Sequence, residues 1–400
     1  MRLLIIIIFA SLITACGKTA PEIAVAAIQR IDSSNASCPS VTKDQKGRFV
    51  ISYIRSVNDS THQFCYAVST DEGKTFNAPV SVPGSSTIHP HNENLPKVIF
   101  KPSGEVIAIW GASNPNPKNK YSGIVYYAQS FDEGKTWNQP QRLVSDTSSI
   151  DQRYFDVALL PTGEAGIIWL DNRKTTDKDG SAVYFASTSA KNGFVNEKII
   201  SQPACQCCRT DLYIDQLGNY HVLYRGIIKD SIRDMLHMVS VDQGKTFGEP
   251  QTISEDNWVI YGCPHTGPSQ TSNENGMHFA WFTGGSVKGT FYNNSPVEGK
   301  EFTKRDSISV KGMHPQITTL NNGNLGIVWD EPVDTSGKQV CLEIRSAKGD
   351  PLTRKMITIP GQQSTYPVIS PGKNNDLLVA FTVKEGKKSS VQFTKAAMGE

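Results

Sequence analysis

The chain has 400 residues, a formal net charge of +2 and 8 cysteines. So balanced a charge excludes the basic field of a nucleic-acid-binding protein, and no nucleic-acid partner is expected. Helical periodicity is scarce and β-forming runs bounded by Gly, Asn, Asp and Pro dominate, so the chain reads as all-β.

In chain order, the first element is not part of the fold. Met1-Arg2 precedes a short Leu/Ile/Phe run and then Ile13-Thr14-Ala15-Cys16. A basic start, an apolar stretch too short to span a bilayer and small residues before a cleavage point describe a secretory signal. Ending on a small residue and Cys, it resembles the bacterial lipoprotein signal, which implies a signal peptide over 1–16 and a lipid on Cys16. Residues 17–22 read as a tether, and residues 23–400 as a single domain with no low-complexity break. After Cys16, the pair Gly17-Lys18 gives no inner-membrane retention signal, so the expectation is an outer-membrane or surface protein touching the membrane only through lipid.

Next comes a repeat. An extended run, a Gly- or Asn-bearing turn and a β-branched or aromatic run recur with turns near Gly47, Gly104, Gly163, Gly218, Gly276, Gly323 and Asn375. A spacing of roughly 47 to 59 residues suits four-stranded propeller blades. This predicts a β-propeller of seven blades, or six if one terminal unit is irregular. The last unit lacks room for a fourth strand, so the segment 22–30 is expected to close the ring as its outer strand and remove a free edge.

Three units share an eight-residue turn: Ser69-Thr-Asp71-Glu-Gly73-Lys-Thr75-Phe76, Ser130-Phe-Asp132-Glu-Gly134-Lys-Thr136-Trp137 and Ser240-Val-Asp242-Gln-Gly244-Lys-Thr246-Phe247. An Asp carboxylate there can accept from following backbone N–H groups, Gly can take φ > 0, and the closing aromatic can tuck beneath. These turns hold blades and do no chemistry.

Chemistry concentrates at the opposite end of the blades, in the blade-to-blade and second-to-third-strand loops. Rigidly positioned loops are where sites usually form. Arg153, Arg173, Arg225 and Arg233 belong to consecutive units, and several guanidiniums around one mouth would bind a carboxylate or other anion bidentately. His265 and His314 join them as ligand-binding candidates. Cys205, Cys207 and Cys208 lie in one loop and Cys263 in the next. They read as a disulfide staple, as ligands for a soft metal such as Zn²⁺ or Cu⁺, or as redox-active thiols. Cys65 and Cys341 read as buried strand residues, and Cys38 as a candidate for the axial ring.

The patterned turns resemble the Asp-box, or bacterial neuraminidase repeat, of sialidases and sialidase-like propellers. Asp71, Gly73, Phe76, Asp132, Gly134, Trp137, Asp242, Gly244 and Phe247 carry that resemblance. It implies a propeller and raises exo-sialidase-like glycoside hydrolysis, for which sialidases use an arginine triad, a Tyr nucleophile and an Asp acid/base. Tyr154, Asp171 and Tyr366 are the catalytic candidates. The family's Phe/Tyr-Arg-Ile-Pro motif is absent, and Tyr53-Ile54-Arg55 departs from it in order and in lacking Pro. The Cys-Gln-Cys-Cys run falls outside the sialidase site. The expected function is therefore binding of an anionic carbohydrate or similar small molecule at the axial mouth. A metal- or thiol-dependent protein and an interaction scaffold are the alternatives.

Overall fold

The computed structural model describes residues 22–117, 119–146, 151–173, 180–296, 300–333 and 337–399. The expected signal, the expected lipidation position Cys16 and nearly all of the expected tether lie outside them.

The fold is a β-propeller with four-stranded blades. Five blades stand as separate four-stranded sheets, spanning 36–81, 97–142, 152–204, 211–252 and 269–309, and are called blades 1–5. This corrects the expected seven, or six, such sheets. The remaining repeat units share one nine-stranded sheet with the N-terminal segment. A parallel bridge between Lys338 and Gln363 joins Gly337–Arg345 to Gln363–Pro371, so hydrogen bonding crosses where a gap between sheets was expected.

The ring closes through the N-terminus. Ile23–Val25 pairs with Lys388–Met398 from Ile23 opposite Met398, and Gln29–Arg30 pairs with the same strand. The last strand's edge is thereby covered.

Second strands are apolar on both faces because each blade packs between two others. Trp110, Trp169, Trp281 and Trp329 are fully buried on them. Trp110 meets Phe64 of blade 1 edge-on at 6.2 Å. Large rings suit this position because they fill the space between two twisted sheets in one rotamer.

The patterned turns lock as their residues dictate. Ser130 Oγ donates to Asp132 (2.8 Å) and accepts from the Gly134 N–H (2.8 Å), while Asp132 accepts from the Thr136 N–H (2.8 Å) and hydroxyl (2.6 Å). The turns at Ser69 and Ser240 repeat this. Each closing aromatic reaches an adjoining unit: Phe76 to Phe393 (4.8 Å), Trp137 to Tyr66 (6.4 Å) and Phe247 to Phe185 (5.4 Å). Gly134 sits at φ 88°, and a Cβ there would overlap the Tyr66 hydroxyl. The position thus needs glycine for both conformation and space.

Candidate functional site

The loops entering the blades share a backbone device. Cys38, Tyr154, His265, His314 and Tyr366 all adopt left-handed conformations, with φ of 58°, 55°, 49°, 53° and 52°. Around four of them the first strand slips register against the second, between Ser37 and Ser40, Arg153 and Asp156, Met313 and Gln316, and Thr365 and Val368. A bulge bends the strand and re-aims one side chain. Strain of this kind persists only where surrounding packing enforces it, and it clusters at functional sites.

A buried ion pair braces the mouth. Arg209 donates to Glu93 (2.8 Å) and to the carbonyls of Gly267 (3.1 Å), Pro268 (3.2 Å) and Pro315 (3.1 Å). The other Glu93 oxygen accepts from the Gly267 N–H at 2.6 Å. One charge pair thus ties together loops that enter blades 2, 4 and 5 and the nine-stranded sheet.

Beside this brace opens a cavity of about 550 Å³, bordered by His91, Arg153, Tyr154, Cys207, Cys263 and His265 among others. Its size falls in the range of small-ligand sites. Its walls hold buried polar atoms with no hydrogen-bond partner among the described residues: Tyr154 Oη, His265 Nδ1 and Arg153 Nε. Burial and then the neighbouring His265 and Arg153 pull the His91 imidazole down to about 4, so it is neutral at pH 7.

The thiols meet at the inner wall. Cys205, Cys207 and Cys208 are buried, and their sulfurs lie within 4.8 Å of one another. Cys205 and Cys207 are 3.6 Å apart. All seven cysteines of the described residues are free thiols, and Cys263 is exposed. Hydrogen bonding with Cys207 and then His265 holds Cys263 down at about 4, and Cys205 is lowered by Cys207 and Cys208. Cys207 is raised by hydrogen bonding with Cys205, then Cys208 and Cys263, and Cys208 is raised by burial. Three sulfurs this close can share one soft cation in place of their protons.

The four arginines take different roles. Arg153 borders the cavity, paired with Asp151 (2.6 Å) and lying over the Tyr154 ring (5.3 Å). Arg173 is taken by Glu197 (2.8 and 3.0 Å) and lies over Tyr184. Arg225 is buried, donates to the carbonyls of Arg233, Thr266 and Phe282, and places Nε 3.3 Å from Cys208 Sγ. It therefore serves the sulfur cluster. The Arg233 side chain stays at the rim, near the Asp230 carbonyl (3.5 Å). The expected convergence of guanidiniums on one anion is not formed, because neighbouring carboxylates and carbonyls already occupy three of them.

The catalytic candidates are likewise dispersed. Tyr154 Oη borders the cavity with no carboxylate bonded to it among the described residues, and burial raises its pKa, leaving a neutral phenol. Asp171 accepts from Trp169 Nε1 (3.2 Å) and the Arg173 N–H (2.9 Å), a strand-end role. Tyr366 stacks on His314 at 3.9 Å, and both lean on buried Asp330, which accepts from His314 Nδ1 (2.6 Å) and the Tyr366 N–H (2.9 Å). His314 is thus committed to Asp330, whereas His265 faces the cavity.

Glu93 and the bracing role of Arg209 escaped the sequence reading. A usable signal was the recurrence of Cys38-Pro39, His314-Pro315 and Tyr366-Pro367 where the chain enters successive units, which marks equivalent positions around one mouth.

No family model matches the chain, and no curated protein matches it. Among solved structures it is similar to a protein of unknown function from Dyadobacter fermentans, at 14% identity and TM-score 0.53, over 94% of this chain and 99% of that one. It is similar to the intramolecular trans-sialidase from Ruminococcus gnavus in complex with oseltamivir carboxylate, at 10% identity and TM-score 0.54, over 90% and 95%. It is also similar to the Trypanosoma rangeli sialidase in complex with the inhibitor DANA, at 12% identity and TM-score 0.51, covering 94% of this chain and 60% of that one. At such identities the likeness concerns architecture, and the architecture is sialidase-like.

Proposed function

We propose that this is an exported, lipid-anchored propeller that binds a soft metal ion, Cu⁺ in the first place, at the sulfurs of Cys205, Cys207 and Cys208. The observation that carries the reading is three buried free thiols with sulfurs within 4.8 Å of one another. Metal–sulfur bonds of about 2.3 Å in a trigonal plane put sulfurs about 4.0 Å apart, which such a cluster reaches with little movement. Thiolates select Cu⁺ among common ions, while Zn²⁺ would ask for a fourth ligand. The Arg225 guanidinium at Cys208 offsets thiolate charge and fixes a ligand from outside the coordination sphere. The test is a competition titration of the purified protein with Cu⁺ and Zn²⁺ against chromophoric chelators. One tightly held Cu⁺ per chain, lost in Cys208→Ser, supports the reading. A protein that leaves Cu⁺ on the chelator refutes it.

A second reading keeps the anionic ligand. Arg153 and Lys120 border the cavity, and two of the similar structures are complexes, one sialidase with the inhibitor DANA and one trans-sialidase with oseltamivir carboxylate. Calorimetric titration with DANA and sialosides tests it. Heat of binding that disappears in Arg153→Ala supports an anion site, and a flat titration removes it.

A further inference from the structure

Of the three buried sulfurs, Cys207 alone borders the cavity, and Cys205 and Cys208 lie behind it. Cys263 borders the same cavity and is exposed. His265, two residues on, also borders it and keeps a buried Nδ1 without a hydrogen-bond partner among the described residues. The cavity therefore offers a path from the exposed Cys263 to Cys207, with the other two sulfurs of the cluster beyond it.

The two ends of that path are held differently. At the inner end, the Cys205 N–H donates to the Arg225 carbonyl (2.8 Å), and Arg225 Nε reaches Cys208 Sγ. Arg225 is itself fixed by three carbonyls and by Trp258, whose ring lies 4.8 Å from the guanidinium. At the outer end, Tyr261 is 91% exposed, and a Cβ on Gly262 would meet only Ile260 Cγ1, at 3.9 Å. The outer cysteine lies in an exposed, loosely packed stretch and is free of such buried restraints. The inner ones are not.

We propose that Cys263, assisted by His265, is the point through which a soft cation is handed into and out of the three-sulfur site. This rests on the soft-metal reading above. The exchange partner is a thiol: a small thiol, or a cysteine side chain of a carrier, reaching into a cavity too small for a folded domain. The Cys263 thiolate forms a bond to the incoming Cu⁺ as one donor-thiolate bond breaks, and the departing thiolate takes up a proton from solvent. Cys207 then bonds to the ion as the Cys263–Cu⁺ bond breaks, and the Cys207 proton passes to His265. Copper remains Cu⁺ throughout, and no electron is transferred.

The experiment uses Cu⁺–bicinchoninate as donor and excess chelator as acceptor, under anaerobic stopped flow, with wild type, Cys263→Ser and His265→Gln. The expected result is one ion per chain in all three proteins. Loading and removal should both slow about tenfold or more in Cys263→Ser, and less in His265→Gln. Both directions slow together because a hand-over point lowers one shared barrier. Unchanged rates in Cys263→Ser would overturn the hand-over role while leaving the buried site intact. Lost stoichiometry in that variant would also overturn it, by making Cys263 a resident ligand. No uptake by the wild type would remove the metal reading itself, together with this one.

Discussion

The patterned turns and the axial mouth both gather polar groups, but they satisfy them in opposite ways. In the turn at 130–137, Ser130, Asp132, Gly134 and Thr136 bond to partners no more than four residues away. At the mouth, Arg209 reaches Glu93 across 116 positions, and Glu93 reaches Gly267 across 174. The turns are closed units whose polar atoms answer one another. The mouth is assembled from four loops and still leaves Tyr154 Oη, His265 Nδ1 and Arg153 Nε without partners among the described residues. A buried polar atom without a partner is costly, so it marks a place where a ligand or ordered water belongs. The difference separates the part of the molecule that holds shape from the part that binds.

The contrast can be broken from the mouth side first. Cys207→Ser removes the sulfur that touches both the inner pair and the cavity. Its effect on Cu⁺ affinity should exceed the roughly 10–100-fold typical of losing a supporting partner. A competition titration reads it, and retained affinity would move the site elsewhere. Arg209→Ala leaves Glu93 as a buried, uncompensated charge and should cost about 3–5 kcal/mol in denaturant unfolding. A cost below 1 kcal/mol would show that the brace is dispensable.

The turn side should respond less, and locally. Gly134→Ala forces an L-residue into φ 88° against Tyr66 and should cost about 1–3 kcal/mol with metal binding untouched. Ser130→Ala removes one buried hydroxyl with two bonds and should cost about 1 kcal/mol by the same measurement. Acid provides the mildest perturbation. Hydrogen bonds from Thr75 and Thr136 hold Asp71 and Asp132 down at about 2. A carboxylate depressed in the folded state contributes stability above its unfolded pKa of about 4, lost as pH falls through its folded pKa. The melting temperature should therefore decline between pH 4 and 2, and less steeply in Asp132→Asn. Parallel declines in the two proteins would detach these turns from acid stability.

How much was legible follows the same division. The turn residues act within one short segment, so their spacing announced both the hairpin and the blade rhythm. The strands and the closing N-terminal segment were equally readable, because β-branched or aromatic runs and turn residues are local properties. The separation of the last units was not readable. It depends on whether Lys338 meets Gln363 across a gap, which no periodicity records. The cysteine cluster was visible as a run with a fourth member one loop away, but its state was not. The arginines misled because a side chain's partner is a tertiary fact. Arg173 found Glu197, and Arg225 found three carbonyls and a sulfur. Glu93 carried no local mark at all.

The measurement that bears most directly on the account is copper K-edge X-ray absorption on protein loaded with one equivalent of Cu⁺. The account predicts a shell of three sulfurs at about 2.3 Å, reduced in Cys207→Ser. A shell of nitrogen and oxygen alone, or copper that washes away before measurement, would contradict it.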